Sequence, residues 1–543
     1  MNDKVMTYEQ LFKYRLKPRW WDDLYQIPWR VVAHVKVLMV TDGARYGTGG
    51  GYNLSRVLEA LQYDLPSYVR IDVTKAQHAT SSYNNGDPDA DLNDFRFGTT
   101  DLTPFDQIWI FGVNGGNSLD AGEATAIWDF MQGGGGVFAT GDHEALGVGL
   151  CGGIPRVRSM RRWFYPSSGP NGEPVAPKRD VTPGIGENDS MTGGSDFDGI
   201  PQVILPKKYS AHGPFVFSYR DFPHPVLCGK SGVITRIPDH MHEGLVEVPS
   251  DLSRPISVDG TPVTEYPNRA GVKLSPEVIA TSTVNLNPAE GTFGVIGTYD
   301  GHLVDEIAGG VGRVLVDATW HHFWNMNVEQ FADASDRVRA AALAGHAPAP
   351  ADIAPAEAWT EIREYFQNIA LWLARRGTQA QIRRRGIWLI TQHVDVLMAL
   401  KSDHTLDRIG QLLDLGAKAK DALQQQAPQC ERIRLTWDWL DDLVLIEITR
   451  PWRIPLPDPP PFEQQVPILD GELLELVTLG AIVESVSRLT GRLKEPEAVE
   501  KLLDSGEIEA RVARAATEGI QQLTKRVHAD MERVERALVA QRR

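Results

Sequence analysis

A chain of 543 residues with 42% hydrophobic and 23% charged side chains is long enough for two to four domains and balanced for burying sizeable cores. Its net charge of −16 excludes broad electrostatic attraction to nucleic acid. Three scattered cysteines (Cys151, Cys228 and Cys430) make neither a disulfide framework nor a zinc ribbon, no run of about 18 apolar residues offers a membrane span, and the start "MNDKVMTYEQLFKYRLKPRWWDD" lacks the apolar centre of a signal peptide; together these predict a reducing, cytoplasmic setting.

After an N-terminal extension (1–33), strand-like and helical runs alternate. "HVKVLMVT" (34–41) reads as a buried strand, "DGARYGTGGG" as a loop and "YNLSRVLEALQ" as a helix. "YVRIDVT" (68–74) and "FDQIWIFGV" (105–113) are two more strands, "DAGEATAIWDFMQ" a helix, and "GGVFAT" (135–140) a fourth strand. Short apolar strands separated by helices predict βαβ units and a parallel sheet, whose ligand sites lie at the carboxyl ends of the strands, here after residues 41, 113 and 140. Residues 150–310 are rich in Gly, Pro and Asp; "PQVILP" and "PEVIATSTV" read as short strands on the sheet edge, and "EGTFGVIGTYDG" and "GGVGRVLVDATW" as two late strands, the second running into His321-His322. The α/β domain is thus expected over 34–327. A helix and a stiff, extended Pro/Ala linker follow over 328–357, then an all-α domain over 358–543 broken by the proline-rich 451–467. In the last helix, apolar residues from Ile508 to Leu538 at steps of three and four form one stripe, suited either to packing on its own domain or to an intermolecular coiled coil.

Two signatures compete within "GDHEALGVGLCGG" (141–153). Asp142-His143-Glu144 directly follows a strand, in the turn that exposes nucleophiles in elbow motifs, and a histidine between carboxylates suits proton transfer or metal binding. The structural alternative has Asp142 capping the next helix and Glu144 in its first turn. Cys151 fits the G-x-C-x-G spelling but stands eleven residues beyond Thr140, where a small buried residue is the plainer expectation. The loop after the first strand lacks the third glycine of G-x-G-x-x-G, Tyr52 standing there, so dinucleotide binding is not expected; Asp42, Arg45 and Tyr52 nonetheless face the predicted crevice as substrate-binding candidates. Eight of fourteen histidines fall between 143 and 322. His240 and His242 in "PDHMHEG", with His321, could ligate Zn²⁺ or Mn²⁺ if they converge with carboxylates, and only one of His321 and His322 would face the site. The basic run "RVRSMRRW" (156–163) reads as a solvated helix face or as a seat for an anionic substrate, and "QIRRRG" (381–386) carries no functional expectation.

Taken in order, "VKVLMVTDG", "GGGGVFATGDHEA", "HPVLCG" with "PDHMHEG", and "GVGRVLVDATWHH" resemble segments of the ThuA-like (trehalose-utilisation) family of the class I glutamine amidotransferase-like superfamily, over about 34–326. The resemblance implies a flavodoxin-like sheet sandwiched by helices, with His143 rather than Cys151 at the elbow. The first loop departs from the family in having Tyr52 and Asn53 where a histidine pair often stands. The reading that follows is a hydrolase or lyase acting on a small polar substrate, a sugar-like one among them, with His143 as acid–base or ligand, Asp142 or Glu144 orienting it, and His322 or His321 facing it. The alternatives are a ligand-sensing module without turnover, whose helical half assembles or signals, and a hydrolase using Cys151 as nucleophile. The expected partners are a small molecule and further copies of the chain, joined through the C-terminal helices, with neither nucleic acid nor membrane.

Overall fold

The computed structural model describes residues 32–63, 65–81, 86–116, 119–142, 145–163, 200–212, 219–229, 232–238, 244–283, 292–401, 406–424, 471–491, 493, 496–505 and 507–541. Its centre is a nine-stranded sheet made of β1 (Ala33–Thr41), β2 (Val69–His78), β3 (Leu92–Phe95), β4 (Gln107–Phe111), β5 (Gly136–Thr140), β6 (Leu205–Pro206), β7 (Glu277–Thr283), β8 (Thr292–Tyr299) and β9 (Val314–Asp317). The spatial order is β3-β2-β1-β4-β5-β9-β8-β7-β6. The first six strands in that order run parallel and the last three antiparallel. Within the parallel part, β2-β1-β4-β5-β9 has the order 2-1-3-4-5, compatible with a flavodoxin-like arrangement. In such a sheet the strand order reverses beside the first strand, which opens a crevice at the carboxyl ends of β1 and β4.

Burial explains why these segments are strands. β4 and β5 are buried at every residue, and β1 alternates buried and exposed at its start before becoming wholly buried. Both faces of the sheet's centre are therefore covered, as parallel strands require. The helix between β4 and β5, α2 (Ala121–Gln132), opens with a capping box in which Asp120 and Glu123 satisfy each other's backbone N–H groups. All four early strands and the two late ones expected from the sequence are present, whereas the short exposed β3 was not foreseen. The helix expected at "YNLSRVLEALQ" is only α1 (Ser55–Ala60), and a single-turn helix, α3 (Val148–Cys151), follows β5.

The largest departure lies after the sheet. The helix expected from 328 is present, but the Pro/Ala linker expected over 344–357 is not extended. α4 (Asn325–Leu343) is followed by a short turn, and α5 begins at Pro350 and runs to Leu373. Pro350 occupies the first turn of α5, where its missing N–H costs nothing and its fixed φ favours the helix; the Pro/Ala composition was a helix start. Trp359, Ile362, Phe366, Ile369 and Leu373 of α5 belong to the same core as the sheet, and Phe323, Phe138, Phe111 and Phe366 form a continuous aromatic contact set beneath it. The α/β unit thus extends past residue 327 through α5. α6 (Arg376–Thr391) bridges outward: Leu389 joins the first core, and Ile387 and Ile390 join a second. Arg384 and Arg385 of "QIRRRG" are buried on this bridge and pair with Glu509 and Asp504, so the run has a structural role.

The second core is built from α7 (Val394–Lys401), α8 (Arg408–Gln424), α9 (Gly471–Thr490), α10 (Pro496–Asp504) and α11 (Glu507–Gln541). Of the α11 stripe, Ile508, Val512, Ala516, Ile520 and Leu523 are buried in that core, while Val534 is more than half exposed; Val539, just off the stripe, is more than half exposed as well. The proline-rich 451–467 lies outside the described residues. Among the described residues no helix is long and apolar enough to cross a membrane.

Candidate active site at the carboxyl edge of the sheet

Four strand ends converge here. β1 delivers Asp42, β4 delivers Val113 and Asn114, β5 delivers Asp142, and β9 delivers Thr319 to His322. Asp42 sits at the strand-order reversal. Its Oδ1 accepts from the backbone N–H of Val113 at 2.7 Å, and Asn114 Nδ2 donates to the Asp42 carbonyl at 3.0 Å. Burial pushes the Asp42 carboxyl up to about 6 from an ordinary 3.8, even though these N–H donors and the nearby His78 pull it down. His78 is itself buried, with Nε2 2.8 Å from Glu123 Oε1 and Nδ1 2.7 Å from Thr80 Oγ1.

That displacement gives a testable pH dependence. The folded value exceeds the unfolded one, so the fold holds this proton more tightly. Stability from this group is full below about 3.8 and lost as pH rises through about 6. The shift corresponds to about 3 kcal/mol. Thermal melts of the wild type should therefore fall, relative to those of Asp42→Asn, as pH rises from about 4 to about 6. A constant difference between the two across that range would contradict this.

The β5 end is fixed by backbone. Gly141 C=O accepts from Trp320 N–H at 2.8 Å, and Asp142 N–H donates to Leu146 C=O at 2.9 Å. The return at Gly147 has φ +96, and a Cβ there would stand 2.6 Å from Gly141 Cα, so only glycine closes this loop. Arg161, buried, donates through Nη2 to the carbonyls of Asp142 at 2.6 Å and Ala318 at 2.7 Å, locking the β5 and β9 ends together. Arg156 and Arg158 are also buried, against Glu265. "RVRSMRRW" is therefore largely an internal clamp; the solvated helix face expected of it is corrected by this burial.

Asp142 is fully buried. Thr319 Oγ1 donates to its Oδ1 at 2.8 Å, and its Oδ2 lies 3.8 Å from His321 Nε2. His321 Nδ1 is 2.8 Å from Asn327 Oδ1. With that oxygen accepting, Nδ1 carries the proton and Nε2 presents a lone pair towards a carboxylate oxygen. Two acceptors facing each other are stabilised by a donor between them: a proton on Nε2, a hydroxyl, or a cation.

His322 is placed differently from expectation. Residues 320–322 form a 3-10 turn instead of continuing the strand, so the alternation that would set His321 and His322 on opposite faces does not apply. Its ring is buried, with Nδ1 2.6 Å from Asp317 Oδ1 and Nε2 3.0 Å from Gln202 Oε1; Tyr365 donates to Asp317 Oδ2 at 2.6 Å. Of the two histidines expected to offer one ring to the site from the closing strand, His321 is the one that stands beside Asp142. Cys151 is a core residue as well. It has no exposed surface, its Sγ is 3.5 Å from the Thr140 carbonyl, and burial raises its thiol well above the ordinary range, the opposite of an activated nucleophile. Cys228 is disulfide-bonded, so the expectation of scattered reduced thiols fails at that position.

The glycine loop is pinned to the same edge. Leu54 N–H donates to Arg45 C=O, and Asn325 and Met326 N–H groups donate to the carbonyls of Asn53 and Gly51. Tyr52 is half exposed and packs edge-on against Trp324 at 4.6 Å, and Trp324 stacks on Trp320 at 3.9 Å; Arg45 is exposed beside them. Of the predicted site residues, the structure brings Asp142 and His321 together, and places Asp42 on the same sheet edge with Tyr52 and Arg45 in the loop pinned there. His143, Glu144, His240 and His242 lie outside the described residues, among which no group of three His, Cys, Asp or Glu side chains converges as for a metal. Thr319, Asn327, Arg161, Asp317 and Tyr365 were not foreseen; only the strand ending at Asp317 pointed to the neighbourhood. No family model matches the chain, and neither a curated protein nor a solved structure is significantly similar to it.

Proposed function

We propose that the chain is a hydrolase or lyase acting on a small polar substrate at the carboxyl edge of its sheet, with His321 as the proton-transferring residue and Asp142 positioning it. The observation that carries this is the Asp142–His321 pair, held by Thr319 and Asn327 at the end of two parallel strands. A buried carboxylate beside an imidazole stabilises the imidazolium formed when Nε2 takes a proton from a hydroxyl or water. A ThuA-like, class I glutamine amidotransferase-like identity is consistent with the 2-1-3-4-5 strand order and with the sequence segments quoted above. His143 and Glu144 would then complete the elbow. Asp142 and His321 are two of the donors that Zn²⁺ or Mn²⁺ would need, and His240 and His242 are the remaining candidates; a bound ion would supply Lewis acidity. Turnover on a panel of small esters, glycosides and polyol derivatives, and its loss in His321→Ala, test the reading.

A second reading, a ligand sensor without turnover, is favoured by the burial of Asp42 and Asp142 together. Absence of turnover on every substrate, with a ligand-dependent rise in melting temperature, would select it.

The partner we propose for the far end of α11 is a second copy of the chain. Its apolar stripe continues beyond the part buried in the second core, leaving Val534 exposed, with the exposed Val539 close to it in sequence. Full-length protein should sediment as an oligomer at micromolar concentration, and a chain ending at residue 527 as a smaller species; identical sedimentation of the two would contradict it.

A further inference from the structure

The helical half contains a groove of about 330 Å³ between the start of α8, the second half of α9 and the first half of α11. It is unrelated to the sheet edge. Its floor is apolar, from Leu412 and Ala481, and the helices approach closely because Gly480 carries no side chain against the Leu412 backbone and Gly519 none against Ala481 and Val477. Its rim holds Arg408, Arg488, Arg511 and Arg514 against Glu484 and Glu518. Four positive and two negative side chains give the rim +2, in a chain whose net charge is −16.

The arginines are not arranged at random. Glu484 accepts from Arg408 Nη1 at 2.7 Å and from Arg488 Nη2 at 2.7 Å, with a second, shorter contact from Arg408 Nη2. This carboxylate joins α8 to α9 and fixes two guanidinium planes at one edge of the groove. Arg511 is held from outside by Glu507 at 2.6 Å. Arg514 makes no ion pair among the described residues and stands on the groove-lining face of α11. One free guanidinium opposite two oriented ones, over an apolar floor, is a receptor for planar or tetrahedral oxyanions, which arginine forks bind in bidentate fashion.

We propose that this groove binds a small molecule carrying at least two negative charges on phosphate or carboxylate groups, attached to a short uncharged body. The volume fits a small ligand and not a folded partner. Arg514 meets the anion directly, Arg408 and Arg488 share theirs between Glu484 and the ligand, and the uncharged body lies over Leu412 and Ala481.

Calorimetric titration of the full chain with phenyl phosphate and with succinate, at low ionic strength, tests this. Saturable binding of at least one is expected, weakening with added salt. Phosphate alone would identify a phosphate ester as the ligand class, and succinate alone a dicarboxylate. Arg514→Gln should weaken binding about tenfold or more without moving the melting temperature, since Arg514 holds no ion pair that stabilises the fold. Arg408→Gln should weaken it too; if that variant melts early, Arg514→Gln alone decides. No binding of either probe below about 10 mM, or equal binding by wild type and Arg514→Gln, overturns the proposal.

Discussion

Asp317→Ala is expected to destabilise the chain by about 3–5 kcal/mol, read from the denaturant midpoint of the sheet unit. Asp317 ends β9 and is fully buried. It accepts from Tyr365 OH at 2.6 Å, from His322 Nδ1 at 2.6 Å and from Thr319 N–H at 3.2 Å. Alanine leaves three buried donors without an acceptor, and each pays its full desolvation penalty. Tyr365→Phe removes one of these bonds together with its donor and should cost only about 1–2 kcal/mol. Equal costs for the two substitutions would mean that Asp317 is not the hub joining α5 to the sheet.

Asp142→Asn should lower kcat by about a hundredfold to ten-thousandfold with little change in KM. The amide keeps an oxygen for Thr319 Oγ1 to donate to, so the β5 end keeps its shape. What is lost is the negative charge 3.8 Å from His321 Nε2, which favours the protonated ring during transfer. The pH profile separates this role from a packing role: losing the carboxylate moves the acidic limb, which reports the base His321, to lower pH, whereas mere loosening of the fold scales the curve without shifting it. A raised KM with unchanged kcat would place Asp142 in substrate binding instead.

Much of the sheet was legible from the sequence because its strands are buried on both faces and read as continuous apolar runs, as in "QIWIF" and "GVFAT". Strand β3 has three exposed residues out of four and left no such run. The Pro/Ala stretch misled because one composition serves an extended linker and a helix start, and only the packing of Trp359 and Phe366 on the sheet decides between them. The carboxyl-end rule found the edge where Asp42 and Asp142 lie. It could not rank His321 against His322, because that choice depends on a 3-10 turn starting at Trp320 and on Asn327, six residues beyond His321. Arg161 was hidden among charges that resemble a solvated face; its acceptors are the carbonyls of Asp142 and Ala318, 19 and 157 positions away.

The most direct test of the account compares the turnover of His321→Ala and Cys151→Ser on whichever substrate the wild type processes. His321→Ala should lose about a hundredfold or more of kcat/KM. Cys151→Ser should retain most of it, since the thiol is sealed in the core and held in its protonated form by burial. Retained activity in His321→Ala together with its loss in Cys151→Ser, and inactivation of the native protein by a thiol-alkylating reagent, would contradict the account and move the chemistry to the cysteine.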